Sequence, residues 1–166
     1  MPAGETYDGQ VRVFWLDADP TDPNAPTEAE LTDGVDLSGY VLPETIDYGF
    51  KNDTVEDRDA LSSFDPQSAG RHGAHPTMDF RDTLRATGAR LAWDTLGDRL
   101  ITGCLVTFEG VAEGAEVNDG DACRVFTGCE TGQPMPRNVA LNTARRFGVE
   151  FFVGGLAYQR AIVGGS

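Results

Sequence analysis

Arg145-Arg146-Phe147-Gly148-Val149-Glu150-Phe151-Phe152-Val153-Gly154-Gly155-Leu156-Ala157-Tyr158-Gln159-Arg160-Ala161-Ile162-Val163 is the stretch that decides the fold class. Phe147, Val149, Phe151 and Val153 fall on one face of an extended chain, and Arg146, Gly148, Glu150 and Phe152 on the other. Two strand-like runs flank Gly154-Gly155, the pattern of a hairpin over Arg145–Val153 and Leu156–Val163. A hairpin at a chain end leaves an edge whose backbone groups can pair with a neighbour.

Working outward, Val11-Arg12-Val13-Phe14-Trp15-Leu16 is a strand with one polar residue, so both of its faces are expected to be covered. Asp17–Pro26 carries Pro20, Pro23 and Pro26 and can only be a loop. Thr27 followed by Glu30 is a capping-box pattern for a helical turn over Thr27–Leu31. Strands are expected at Leu37–Leu42, Ile46–Phe50, Leu100–Phe108 and Ala122–Cys129. Another is expected at Thr77–Leu84, with Asp79, Arg81 and Thr83 on a wet face. Ala89, Ala92, Trp93 and Leu96 recur at helical spacing before Gly97, which places one short helix there. Asp119-Gly120 is a type I′ turn signal. Residues 51–76 lose periodicity and read as a long loop with a short strand near Leu61–Phe64, an interaction candidate. The expected architecture is mainly β: a β-sandwich or partial barrel of about seven to nine strands with one short flanking α-helix. It is a single domain over residues 1–166, with residues 1–10 as an N-terminal arm.

Composition narrows the function. Acidic residues number 27 against 13 basic, a net charge of −14, and Lys51 is the only lysine. Residues 1–60 carry 15 acidic and 3 basic side chains, so nearly all of the imbalance lies there. Proteins that grip nucleic acid displace counterions with Lys and Arg, and this chain lacks that surplus. Docking on an anionic membrane is excluded for the same reason. Cys104, Cys123 and Cys129 match no zinc spacing and read as small buried side chains. No signal-peptide pattern opens the chain.

No catalytic constellation stands out. Ser38, Ser62 and Ser63 lack a nucleophile elbow, and no phosphate-binding or dinucleotide fingerprint occurs. His72, His75 and Asp79 contain zinc-type ligands, which leaves a small metal-dependent hydrolase or binding module as an alternative from another class. The chain reads as a non-enzyme without a cofactor.

Several segments together resemble the major tail proteins, or tail tube proteins, of long-tailed phages, particularly those of actinobacteria. They are Val11–Leu16 running to Asp19-Pro20, Ala25-Pro26-Thr27-Glu28-Ala29-Glu30-Leu31 and Gly34-Val35-Asp36-Leu37. Ile46-Asp47-Tyr48-Gly49-Phe50, Asp53-Thr54-Val55-Glu56-Asp57, Gly70-Arg71, Met78–Leu84, Ala92-Trp93-Asp94-Thr95-Leu96 and Arg146–Phe152 follow in the same order. The resemblance implies hexameric rings stacked into a tube around a lumen. That lumen would hold the tape measure protein and conduct DNA during ejection without binding it. It also implies assembly in the host cytoplasm and contacts with terminator and distal tail proteins. Residues 51–76 become the inter-ring arm, with Lys51, Asp53, Val55, Leu61, Phe64 and Arg71 as its contact candidates. Lumen carboxylates would keep phosphates moving by like-charge repulsion, with Asp47, Asp79 and Glu150 as candidates. Another head–tail role, as tail terminator or capsid decoration protein, is the alternative within the same biology.

Overall fold

The computed structural model describes residues 10–56, 67–81, 90–111, 115–137 and 145–165. The first strand, β1 (Val11–Leu16), buries both faces, as its composition requires. Val13 and Trp15 point into one apolar cluster, and Phe14 and Leu16 into a second on the opposite side. The proline-rich loop leads to α1 (Glu28–Asp33), which presses Leu31 onto the second cluster.

The expected capping box is present. Thr27 Oγ1 accepts from Glu30 N at 3.3 Å, and Glu30 Oε2 accepts from Thr27 N at 2.9 Å. The other carboxylate oxygen of Glu30 accepts from Thr21 N at 2.9 Å, so one side chain ties the loop to the helix. These bonds, that from the Thr21 amide first and that from the Thr27 amide second, hold the Glu30 carboxyl down at about 2 against an ordinary 4.5. A depressed carboxyl stabilises the fold above its unfolded value and loses that contribution as pH falls from 4.5 through 2. Glu30→Ala is therefore expected to cost about 1 kcal/mol at neutral pH. In denaturant titrations the gap from wild type should shrink as pH falls below 4.5; a gap independent of pH would refute the assignment.

The remaining elements are β2 (Val35–Asp36), a 3₁₀ turn (Pro43–Thr45), β3 (Lys51–Glu56), β4 (Gln67–Gly73) and β5 (Thr77–Arg81). After these come α2 (Leu91–Leu96), β6 (Thr102–Glu109), β7 (Ala122–Thr131), β8 (Met135–Pro136), β9 (Arg146–Val153) and β10 (Ala157–Ile162). The main sheet runs β2-β1-β6-β7-β9-β5, with β10 also on β7 and β8 on β9. It curls on itself, because the segment after β2 crosses to the far edge. Leu37 N donates to Val13 O on β1, while Leu42 N donates to Asp79 O on β5. The first cluster fills the inside of the curl, with Trp15, Phe80, Phe126, Phe147 and Phe151 fully buried. The fold is mainly β, as expected, with a second short helix in α1.

Several expected elements are rearranged. Leu37–Leu42 is a turn rather than a strand: Asp36 accepts from Ser38 N, and Ser38 Oγ accepts from Val13 N. Short polar side chains have replaced ladder bonds there. Ile46–Phe50 contributes only a bridge between Asp47 and Thr77, because Gly49 turns the chain at φ +55°. In the Asn118–Asp121 turn only Gly120 has positive φ, which is type II geometry rather than I′.

The stretch that identified the β class is not a hairpin. β9 and β10 both run antiparallel to β7, along the same edge: Val153 lies opposite Cys129 and Ala157 opposite Phe126. Gly154-Gly155 is a bulge in one long edge-to-edge passage. Across from it Gly128 adopts φ +58°, and Gly154 N donates to Gly128 O at 2.9 Å.

Candidate functional site

Two surfaces stand out: the root of the β3–β4 ribbon and the outward face of β5–β9. Where a long loop was expected, β3 and β4 pair antiparallel as their own two-stranded sheet, from Lys51 opposite Gly73 to Glu56 opposite Gln67. The sequence hid this because neither strand carries a period-two apolar face to bury. Lys51, Asp53 and Val55 lie in β3 and Arg71 in β4. Leu61 and Phe64, with the short strand expected there, lie outside the described residues, as do residues 1–9 of the N-terminal arm.

The root is clamped by aromatic side chains. Tyr48 and Phe50 stack over Phe126 with ring centroids 5.7 and 6.0 Å away. Tyr48 OH donates toward Glu109 at 3.2 Å, and Arg124 pairs with Glu109 while its guanidinium lies over the Tyr48 ring. His75 N donates to Tyr48 O, closing the neck of the ribbon. A Cβ on Gly49 would stand 2.6 Å from His75 O, so the neck closes only around a glycine. His75 stacks on Phe152 at 4.8 Å and brings Nε2 to 4.0 Å from Glu150 Oε2. Burial pushes the Tyr48 hydroxyl above its ordinary value, so it stays a donor.

The outward face of β5–β9 gathers the three acidic lumen candidates. Thr77 pairs with both Asp47 and Glu150, which places those two carboxylates in one cross-strand row. Asp47 is exposed and Glu150 half-buried. Asp79 departs from expectation: it is buried, not on a wet face. Arg137, just past β8, grips it with Nε at 3.0 Å and Nη2 at 2.8 Å from Oδ1. Gly148, opposite Asp79, makes room for this pair; a Cβ there would collide with the guanidinium and lie 2.8 Å from Asp79 Oδ1. Asp79 is thus no free carboxylate, which removes it as a source of repulsion. Arg137 carried no local signal in the sequence, because its partner is 58 residues away.

Of the three residues of the metal alternative, the side chain of His72 lies outside the described residues. His75 faces Glu150, Asp79 is held by Arg137, and no group of three metal-type ligands occurs among the described residues. The three cysteines are free and buried, as read from the sequence. Burial pushes the Cys123 and Cys129 thiols up to about 12 and raises that of Cys104 as well, so all three stay protonated at neutral pH. Among the described residues no helix is long and apolar enough to cross a membrane.

A family model described as phage tail tube protein matches residues 1–166. The chain belongs to the phage tail tube protein family. As a tail tube protein it is a structural component of the virion tail. A solved structure of similar fold is the anti-feeding prophage baseplate, determined by cryo-electron microscopy and six-fold symmetrised. Its matching chain is 10% identical, with 93% of each chain covered and a TM-score of 0.49. No curated protein matches this tail tube protein at the sequence level.

Proposed function

We propose that this tail tube protein assembles into stacked hexameric rings around a lumen that holds the tape measure protein and conducts DNA during ejection. Assembly takes place in the host cytoplasm, with terminator and distal tail proteins at the two ends. The observation that carries the reading is the β3–β4 ribbon. An isolated two-stranded sheet is marginal in water and gains stability from a surface to lie on. Six residues at about 3.3 Å each carry its far end some 20 Å from the root. That reach suits an arm that bridges to the next ring, with Lys51, Asp53, Val55, Leu61, Phe64 and Arg71 as contact residues. Asp47 and Glu150 are the lumen carboxylates in this reading, and their charge repels passing phosphates.

Electron microscopy of the purified chain tests it. Wild type is expected to form long hollow tubes. A variant with residues 57–66 replaced by Asn-Gly, which joins Glu56 to Gln67 by a tight turn, is expected to stop at unstacked rings. Discrete rings or trimers from wild type would assign a terminator or decoration role instead.

A further inference from the structure

The outward face of β5–β9 has a second end, where the charge has the opposite sign. Arg81 lies directly opposite Arg146 in the antiparallel register, and both are exposed. Directly opposed residues bring their Cβ atoms to about 5 Å, and like charges in that relation destabilise the pair. Arg145, also exposed, adjoins them. Asp79, two residues before Arg81 on this face, is already bound by Arg137. Among the described residues none of Arg81, Arg145 or Arg146 has an acidic partner. In a chain of net charge −14, the described residues at this end of the sheet therefore hold positive charge that no carboxylate among them pairs.

A matching anomaly of opposite sign lies elsewhere on the subunit. Asp33 is the last residue of α1, where the helix presents its carbonyls and a carboxylate is unfavourable; no basic residue occupies that turn. Asp17 and Asp19, at the end of β1, share with Asp33 and Glu30 a concave surface of about 340 Å³. Asp17, Asp19 and Asp33 are exposed. Leu16 pairs with Cys104, Gly103 with Cys129 and Cys129 with Val153, so Asp17, which follows Leu16, lies level with the end of β9 opposite to Arg146. The Arg81–Arg146 opposition and the carboxylate of Asp33 at the end of α1 are each locally unfavourable in a single copy, and a neighbouring opposite charge would relieve either.

We propose that Arg81 and Arg146 form the docking site for the Asp17/Asp33 patch of a second copy of this chain. The contact is heterologous, one patch meeting a different one, and such contacts propagate around a closed ring. It rests on the ring-forming reading above and names the charged pair that joins neighbours.

The test is charge reversal in the full-length chain, read by electron microscopy and by sedimentation velocity. Arg81→Glu/Arg146→Glu is expected to raise the concentration needed for assembly at least about tenfold at physiological salt. Asp17→Arg/Asp33→Arg should do the same, and the variant carrying all four substitutions should return to within about threefold of wild type. Arg81→Gln/Arg146→Gln is the folding control: it removes the like-charge pair, so the subunit should melt no lower than wild type while still assembling poorly. Tubes from the arginine variants at wild-type concentrations would overturn the docking site and leave the tube reading standing. Loss of assembly that the four-fold variant does not restore would also overturn it, pointing to another anionic partner such as duplex DNA. If wild type forms no tubes, the tube reading fails by itself. The docking site then falls too if wild type shows no salt-sensitive self-association by sedimentation.

Discussion

Gly128→Ala is expected to lower the stability of the fold by about 3 kcal/mol, the combined scale of a left-handed backbone penalty and an overpacked backbone contact. Gly128 sits at φ +58°, and a Cβ built there would stand 2.9 Å from Gly155 N. The atoms it meets are backbone and cannot swing aside. On the other side, a Cβ on Gly155 would collide with Thr127 Oγ1, so the two segments are closed against each other. Thr127 Oγ1 also accepts from Leu156 N at 2.9 Å, and that bond would be displaced with them. Gly120→Ala is the control. Gly120 also has positive φ, at +93°, but nothing lies within 4 Å of its Cβ direction. It should show the conformational penalty alone, about 1 to 2 kcal/mol. Urea midpoints for the two variants separate the effects. Equal losses would mean that the β7 crossing is not sterically closed.

Arg137→Ala is expected to cost about 3 kcal/mol, and Asp79→Ala distinctly less, about 1 kcal/mol. The asymmetry follows from exposure: the Asp79 side chain is 9% accessible and that of Arg137 is 40%. Removing Arg137 strands a buried carboxylate; removing Asp79 leaves a guanidinium that can turn to water. Asp79 also sits where the curl closes, accepting from Leu42 N through its carbonyl and donating its N–H to Thr45 Oγ1. Distortion there spreads to the turn that links the two sheet edges. A double-mutant cycle on thermal or urea unfolding measures the coupling. Equal single losses would sink the argument from burial.

The contrast between β1 and the β3–β4 ribbon shows what was legible from sequence. β1 announced itself because six consecutive strand-forming residues bury on both sides, and local composition carries that information. The Thr27–Glu30 capping box and the helix ending at Gly97 were legible for the same reason: every bond involved spans a few residues. The ribbon was not, since its strands pair with each other and carry no period-two apolar pattern. The charged surfaces were half legible. Asp47, Asp79 and Glu150 were identified as alternate-position carboxylates, and the fold does bring them to one face. Whether each remains free depended on Arg137, which no spacing rule connects to Asp79.

By itself the sequence determined the acidic balance, the β class and the local signals that start and stop elements. Its period-two pattern in Arg146–Val153 correctly placed Phe147, Val149 and Phe151 in the core. Only the tertiary structure decided that β9 and β10 pass β7 in line rather than folding back on each other. It also decided that Asp79 is neutralised and that Arg81 faces Arg146. The physical reason is common to all three. Periodicity says which way a side chain points relative to the core, whereas a strand's hydrogen-bond partner and a charge's neighbour are set by segments distant in the chain.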